Sequence, residues 1–390
     1  MGRFTKTLNA AQPGRDARKL EEDLRQRVVG QNDAIDKVVQ VYQTDVIGMS
    51  CPGRPIGSLL FLGPTGSGKT RLVEAAAESL LGSPRAVLKV DCGEFQHSHE
   101  IAKLIGSPPG YLGHRETQSV LSQDALNQYH TDKLKLSLVL FDEIEKASDA
   151  LWNLLLGILD KAILTLGNNR RVDFSRALIF MTSNLGASEI GTLLHPKVGF
   201  AAHDLQRQHA AGDLDGDLKD KLARAGVEAA RRKFAPEFMN RIDHTVVFRP
   251  LGSAELQAIL TIELNAVQER VRVATPVPFA IVVNDPARQF LLSEGTDPRF
   301  GARHLKRAID RHLVHPISNL IATHQISGGD ILYVDLDPSG TCLAFSKDGH
   351  WAPAAVVSRF ASASAALPDA ISHDAVSETV AWFRSKTLRR

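Results

Sequence analysis

Between an apolar run and an amphipathic one stands Gly63-Pro64-Thr65-Gly66-Ser67-Gly68-Lys69-Thr70. Glycines at this spacing let main-chain N–H groups turn towards one polyanion, and a helix opening at their end favours negative charge there. Lys69 is then placed to reach the terminal phosphates of ATP, and Thr70 to ligand magnesium. Apolar strand before and helix after is the context that separates a P-loop from an ordinary glycine-rich turn.

A second constellation follows. Leu138-Val139-Leu140-Phe141-Asp142-Glu143 is an apolar run ending in two carboxylates, a Walker B pattern at the sheet edge where open α/β folds bind nucleotides. Asp142 is the candidate holder of hydrated Mg2+, and Glu143 the candidate polariser of the attacking water. The bland alternative, a solvated acidic pair capping a helix, loses weight once the P-loop is present. Met181-Thr182-Ser183-Asn184 ends the next apolar run, and Asn184 is the candidate sensor beside the γ-phosphate, although Asn after a strand is by itself usually a turn residue.

These groups need a scaffold. From about residue 58 to residue 250, β-rich apolar runs alternate with amphipathic ones, which predicts a doubly wound parallel sheet flanked by helices. Strands are expected at Ser58 to Leu62, Ala86 to Asp91, Ser137 to Asp142, Ala177 to Thr182 and Thr245 to Phe248. Pro250-Leu251-Gly252-Ser253 interrupts the pattern, with Ser253 as an N-cap for Ala254 to Val271. Further helices are expected at Asp285 to Glu294 and Gly301 to His324, then a hairpin from Ile331 to Phe345. The domains expected are an N-terminal extension at 1–22, a large α/β domain at 23–250, a smaller, mostly helical lid at 251–347 and an Ala/Ser-rich tail at 348–390. Residues 191–216 read as loop.

Composition narrows the function classes. Forty-six Lys and Arg against 44 Asp and Glu leave a net charge of +2, so no polyanionic partner is demanded and nucleic acid is not the expected one. Three cysteines far apart, Cys51, Cys92 and Cys342, argue against a disulfide framework or zinc ribbon. There is no signal-peptide core and no apolar run long enough for a membrane span, so the expected location is cytoplasmic. His97-Ser98-His99-Glu100 is read as structural rather than as a metal site.

Taken together the motifs resemble the AAA+ superfamily, and the sequence between them is similar to the second ATPase module of ClpA, ClpB and ClpC. Val29-Gly30-Gln31 resembles the family's adenine-side box, and Arg54-Pro55-Ile56-Gly57-Ser58 leads into the P-loop as it does there. Leu104 to Gly113 is similar to the pore loop, so the resemblance implies that Tyr111 and Leu112 face translocating polypeptide. Phe234 to Asp243 resembles the segment with the arginine finger, implying that role for Arg241, and Gly301-Ala302-Arg303 resembles sensor 2, implying that Arg303 lies over the γ-phosphate of its own subunit. A finger acting on a neighbour makes the interface heterologous, and the resemblance implies a homo-oligomeric ring of six that unfolds protein substrates.

The chain has room for one such module, without the second module or coiled-coil insertion of the long Clp proteins. Leu166-Gly167-Asn168-Asn169-Arg170-Arg171 sits where the family has another channel-facing loop but departs from its usual composition. Lys197-Val198-Gly199-Phe200 is similar to the tripeptide with which ClpA and ClpC engage a ClpP-type peptidase, so Val198, Gly199 and Phe200 are candidate docking residues; a local hydrophobic tuck is the open alternative. Two other function classes remain: a nucleic-acid motor or loader, which predicts a basic, aromatic-interleaved groove, and a nucleotide-gated assembly scaffold, which would tolerate loss of Glu143 or Arg241.

Overall fold

The computed structural model describes residues 13–106, 119–194, 216–275, 279–296 and 301–348. By their contacts they form two compact units, Met1–Leu264 with Leu291–Asp310, and Asn265–Phe290 with Arg311–Arg390. The units interleave segments, so residues 291–310 pack with the larger one.

In the larger unit, strands β1 (Gly57–Leu62), β2 (Leu88–Asp91), β3 (Ser137–Asp142), β6 (Ala177–Ser183) and β7 (His244–Val247) form one sheet in the order β2-β3-β6-β1-β7. Every pairing in it is parallel. All five lie within two residues of the expected positions. The near-continuous apolar runs of the three inner strands, β1, β3 and β6, reflect burial on both faces, whereas the edge strands β2 and β7 are partly exposed.

Side-chain alternation divides the core into two layers. Leu60, Leu62, Val139, Phe141, Ile179 and Met181 enter one cluster, while Leu59, Phe61, Leu138, Leu140, Leu178 and Phe180 enter the other. The second layer is covered by α1 (Arg15–Arg27), α2 (Asn32–Val46) and α3 (Lys69–Leu81), through Leu20, Leu24, Ile35, Val38, Leu72 and Val73. After the short α4 (Ile101–Ile105) and α5 (Gln123–Asn127) comes α6 (Asp149–Lys161), which covers the first layer with Leu151, Leu155 and Ile158. Helices α7 (Ala187–Leu194), α8 (Gly216–Lys233) and α9 (Pro236–Met239) complete this part, with Ala230, Phe234 and Phe238 in that same layer.

Two departures from expectation occur here. A small antiparallel hairpin, β4 (Ile163–Thr165) with β5 (Arg171–Asp173), was not expected, because three-residue strands carry no readable alternation. Residues Leu166 to Arg170 join these strands; Asn169 among them takes a left-handed φ of 62°, and the Gly167 N–H donates to the carbonyl of Ile105 at 2.9 Å. In addition, α7 and α8 extend into the two ends of the expected 191–216 loop, whose remainder lies outside the described residues.

Helix α10 (Ser253–Ala274) and α11 (Asp285–Gly295) occur where expected. The long run expected over Gly301 to His324 is instead broken into α12 (Ala302–Ile309), a π-helical turn at Asp310–Val314 and α13 (His315–Ala322). Pro316 explains the break, since it supplies no N–H to the preceding turn and forces a wider one. In the smaller unit, the expected hairpin of β9 (Ile331–Leu336) and β10 (Leu343–Asp348) gains a third strand, β8 (Ala280–Val283), parallel to β9. β8 has four half-buried residues and no alternation, so the sequence pattern did not reveal it.

Candidate nucleotide site

Three glycines bend the chain between β1 and α3, with φ of 132° at Gly63, 77° at Gly66 and 100° at Gly68. A Cβ on Gly63 would sit 2.3 Å from the carbonyl oxygen of Phe248, so no side chain fits there. Pro64, Thr65 and Ser67 fill the intervening positions, and the Ser67 hydroxyl donates to the Pro64 carbonyl at 2.8 Å. Lys69 opens α3 and Thr70 follows it in the first turn, both where the sequence put them.

The Lys69 side chain is only 8% exposed. Its ammonium donates to the carbonyls of Gly63 at 2.6 Å and Pro64 at 2.9 Å and to Asn184 Oδ1 at 3.1 Å. Burial lowers its pKa to about 8; the carboxylates of Glu145, Asp142 and Glu143 oppose that shift, and Arg303 adds to it. Thr65 Oγ1 also donates to Asn184 Oδ1, at 3.2 Å. Asn184 therefore stands at the loop, with its side-chain oxygen against both Lys69 and Thr65.

The acidic end of β3 lies alongside. Asp142 is held on both oxygens, Oδ1 by the hydroxyl of Thr182 and Oδ2 by Lys89 at 2.6 Å. Burial pushes its carboxyl upwards, but those two partners outweigh burial and keep it below the usual carboxylate range. Glu143 leaves the strand in the left-handed region at φ 57°, ψ 48°, an unusual conformation for a residue with a side chain. Its N–H donates to Thr182 Oγ1 at 3.1 Å, its Oε1 lies 3.4 Å from Asn184 Nδ2, and its Oε2 pairs with Lys146. Glu145 Oε1 accepts from the Asn184 N–H at 3.1 Å.

From the other side, Gly301 approaches the loop at φ 52°, where a Cβ would meet the Gly66 carbonyl oxygen at 2.8 Å. The Ala302 N–H donates to that same oxygen at 3.2 Å, which fixes the start of α12 and brings Arg303, in its first turn, to the site with an exposed side chain. Val29 lies on the turn joining α1 to α2, two residues before Gln31. Gln31 is 3% exposed, and its side chain donates to the carbonyls of Ser67 at 3.1 Å and Arg249 at 2.9 Å.

Arg241 is elsewhere. Its carbonyl accepts from the Ser58 hydroxyl at 3.3 Å, at the start of β1, whereas the phosphate loop follows the end of β1. Five residues of strand separate the two positions, roughly 16 Å. The guanidinium points to Glu237 at 3.2 Å and Asp160 at 3.8 Å, and its Nε is buried without a hydrogen-bond partner among the described residues.

Tyr111 and Leu112, and likewise Val198, Gly199 and Phe200, lie outside the described residues. His97 and Glu100 form a capping box, with Glu100 Oε2 accepting from the His97 N–H at 2.9 Å. Three residues matter here that the motif reading did not assign: Gln31, Thr182 and Glu145. Gln31 and Thr182 were visible only as members of longer motifs and Glu145 belonged to none, because their partners lie 36 to 218 residues away in the chain or on the next strand.

The residues fit a magnesium nucleotide. Glycine turns and a buried ammonium suit a polyphosphate, while Asp142, Glu143 and Glu145 gather their carboxylates near it and Glu145 Oε2 is buried without a partner among the described residues. An all-oxygen acidic set beside phosphates suits a hard divalent cation.

Comparison with known proteins agrees. Residues 54–245 match the family model described as AAA domain (Cdc48 subfamily), and residues 251–334 match the C-terminal, D2-small domain, of ClpB protein. The chain is 37% identical over 327 residues to the chaperone protein ClpB of Bdellovibrio bacteriovorus, covering 84% of this chain and 34% of that one. It is 36% identical over 318 residues to the ATP-dependent Clp protease ATP-binding subunit ClpC of Staphylococcus aureus, covering 82% and 36%. A closed-state cryo-electron microscopy reconstruction of Hsp104 with ATPγS and FITC casein is similar at a TM-score of 0.68 and 30% identity, covering 85% of this chain and 52% of that one. The chain thus spans about a third of the length of the curated relatives it matches. Matches to two family models over residues 54–245 and 251–334, with the ClpB and ClpC relatives, make this chain a member of the Clp branch of the AAA+ ATPases.

Proposed function

We propose that the protein is a Mg2+-dependent ATPase that works as a homo-hexameric ring and uses hydrolysis to thread and unfold polypeptide. Lys69, the loop N–H groups and Arg303 hold the triphosphate, while Thr70 and Asp142 hold the metal. When bound, the ion neutralises charge on the β- and γ-phosphates. Glu143 takes the proton of the attacking water, and Asn184 fixes the water and γ-phosphate relative to Lys69. Arg241 supplies the last cation to the pocket of the adjacent copy.

The observation that carries this reading is the separation of the two arginines. Arg303 stands by its own phosphate loop, whereas Arg241 is tied to the far end of β1. An arginine finger provides about 10³ to 10⁵ in rate, and one at the far end of the strand serves a second subunit far better than its own. The family relatives, a chaperone and an Hsp104 solved with casein, support protein as substrate. Tyr111 and Leu112 are the proposed gripping residues.

Mixing variants tests the ring. Arg241→Ala and Glu143→Gln subunits, each inactive alone, regain ATPase activity when combined, because a pocket with Glu143 then meets a neighbour with Arg241. A mixture as inactive as its parts overturns the proposal. Tyr111→Ala then separates threading from hydrolysis: ATP use persists while unfolding of a tagged substrate stops.

The finer assignments belong to the same reading. The ring is cytoplasmic, with a large domain at 23–250, a lid at 251–347 and flanking segments at 1–22 and 348–390; among the described residues no helix is long and apolar enough to cross a membrane. Val198, Gly199 and Phe200 dock a ClpP-type peptidase, in line with the ClpC relative being named an ATP-binding subunit of a Clp protease. Equal co-sedimentation of the peptidase with wild type and Phe200→Ala would remove that part alone.

A further inference from the structure

We infer that Thr182 is a positioning residue for hydrolysis, a single hydroxyl that sets both acidic residues at the end of β3. The inference rests on the reading of Asp142 and Glu143 as the hydrolytic pair.

Thr182 is on β6, the strand between β3 and β1, and is 1% exposed. At that depth in a parallel sheet an aliphatic residue is the ordinary occupant, and a buried hydroxyl commonly satisfies itself on a nearby carbonyl of its own segment. Here the hydroxyl does neither. It donates to Asp142 Oδ1 and accepts the N–H of Glu143 at 3.1 Å, so its donor and one lone pair both go to the neighbouring strand.

The register explains why. Phe141 pairs with Met181, which brings the next residues, Asp142 and Thr182, side by side as β3 ends. At that point Glu143 turns into the left-handed region, and its N–H leaves the ladder. A buried N–H without a partner is unfavourable, and so is this backbone conformation for a residue with a side chain. Thr182 Oγ1 supplies the missing acceptor and so stabilises the turn that aims the Glu143 carboxylate towards Asn184. The same hydroxyl fixes one Asp142 oxygen, leaving the other to Lys89, whose side chain is 49% exposed and free to exchange for another cation. Asn184 is locked from the opposite direction, its N–H held by Glu145. Two strand ends are thus laced together, with Thr182 the residue bonded to both Walker B carboxylate residues.

Thr182→Val keeps shape and removes the hydroxyl; Thr182→Ser keeps the hydroxyl. Residues that orient metal ligands from behind typically contribute about 10- to 100-fold. Thr182→Val is expected to lower kcat for ATP by about 10- to 100-fold with KM changed less than about threefold. Fluorescent-ADP titration is expected to give unchanged affinity without Mg2+ and a midpoint for the Mg2+ effect raised by about tenfold. Thr182→Ser is expected to restore both. Unchanged kcat and Mg2+ midpoint in Thr182→Val overturn the inference, as does equal loss in Thr182→Ser with a lowered Tm, which would mark a packing role. Glu143→Gln assayed in parallel separates the levels: full turnover there rejects the hydrolytic pair itself, whereas its loss beside a normal Thr182→Val rejects only Thr182.

Discussion

The ammonium of Lys69 lies 3.1 Å from the side-chain oxygen of Asn184, 115 residues later in the chain. Buried by that contact and by its own loop, Lys69 has a pKa of about 8 against an ordinary 10.5. Between these values the folded protein holds fewer protons than the unfolded chain, so stability of the nucleotide-free protein rises with pH through this window. A polyphosphate favours the charged ammonium, so binding raises the pKa again. Proton uptake on ATP binding is expected to be near zero at about pH 6.5 and close to one at about pH 9, with affinity falling above pH ~8. Calorimetry in buffers of different protonation enthalpy measures it; uptake independent of pH would refute the assignment to Lys69.

Gly301 tests how α12 is seated. With φ 52° and a virtual Cβ 2.8 Å from the Gly66 carbonyl, Gly301→Val must move either the loop or the helix start. Nucleotide affinity is expected to fall by at least about tenfold, the equivalent of roughly 1.4 kcal/mol, although Arg303 is intact. Fluorescent-nucleotide titration beside Arg303→Ala checks it, and wild-type affinity in Gly301→Val would show that the contact yields.

Phe61 is fully buried one residue before the end of β1, with ring centroids 4.9 Å from Phe248 and 5.6 Å from Phe180. Phe61→Ala leaves a cavity beneath the phosphate loop, and a loss of about 3 to 5 kcal/mol is expected. Denaturant unfolding followed by far-ultraviolet circular dichroism reads it, with the transition of the larger unit moving.

The cysteines differ in environment. Cys92 is buried, and burial first, then Asp91 and Asp142, raises its thiol pKa far above the ordinary value, whereas Cys51 and Cys342 are exposed. Iodoacetamide on the native protein is expected to label Cys51 and Cys342 and to spare Cys92, with all three labelled after denaturation. Mass spectrometry of peptides decides; rapid labelling of native Cys92 would contradict its placement.

What the sequence alone determined is whatever is encoded by neighbours in the chain. Glycines, Lys69 and Thr70 within eight consecutive residues announced a phosphate cradle, and apolar runs ending at Asp142 and Thr182 announced the strands that lead to the acidic pair and Asn184. The inner strands β1, β3 and β6 were legible because burial on both faces makes each of them a short continuous apolar word. The short strands β4, β5 and β8 were not, since three or four residues hold too little periodicity, and the break near Pro316 was hidden inside an otherwise helical pattern. Only the tertiary structure decided which side chains meet. Parallel register put Thr182 beside Asp142, a buried amide joined Gln31 to Ser67 and Arg249, and the length of β1 separated Arg241 from its own phosphate loop. A hydrogen bond or a Coulomb interaction acts over a few ångströms of space whatever the distance along the chain, so local patterns reveal the parts of the site and folding sets their partners.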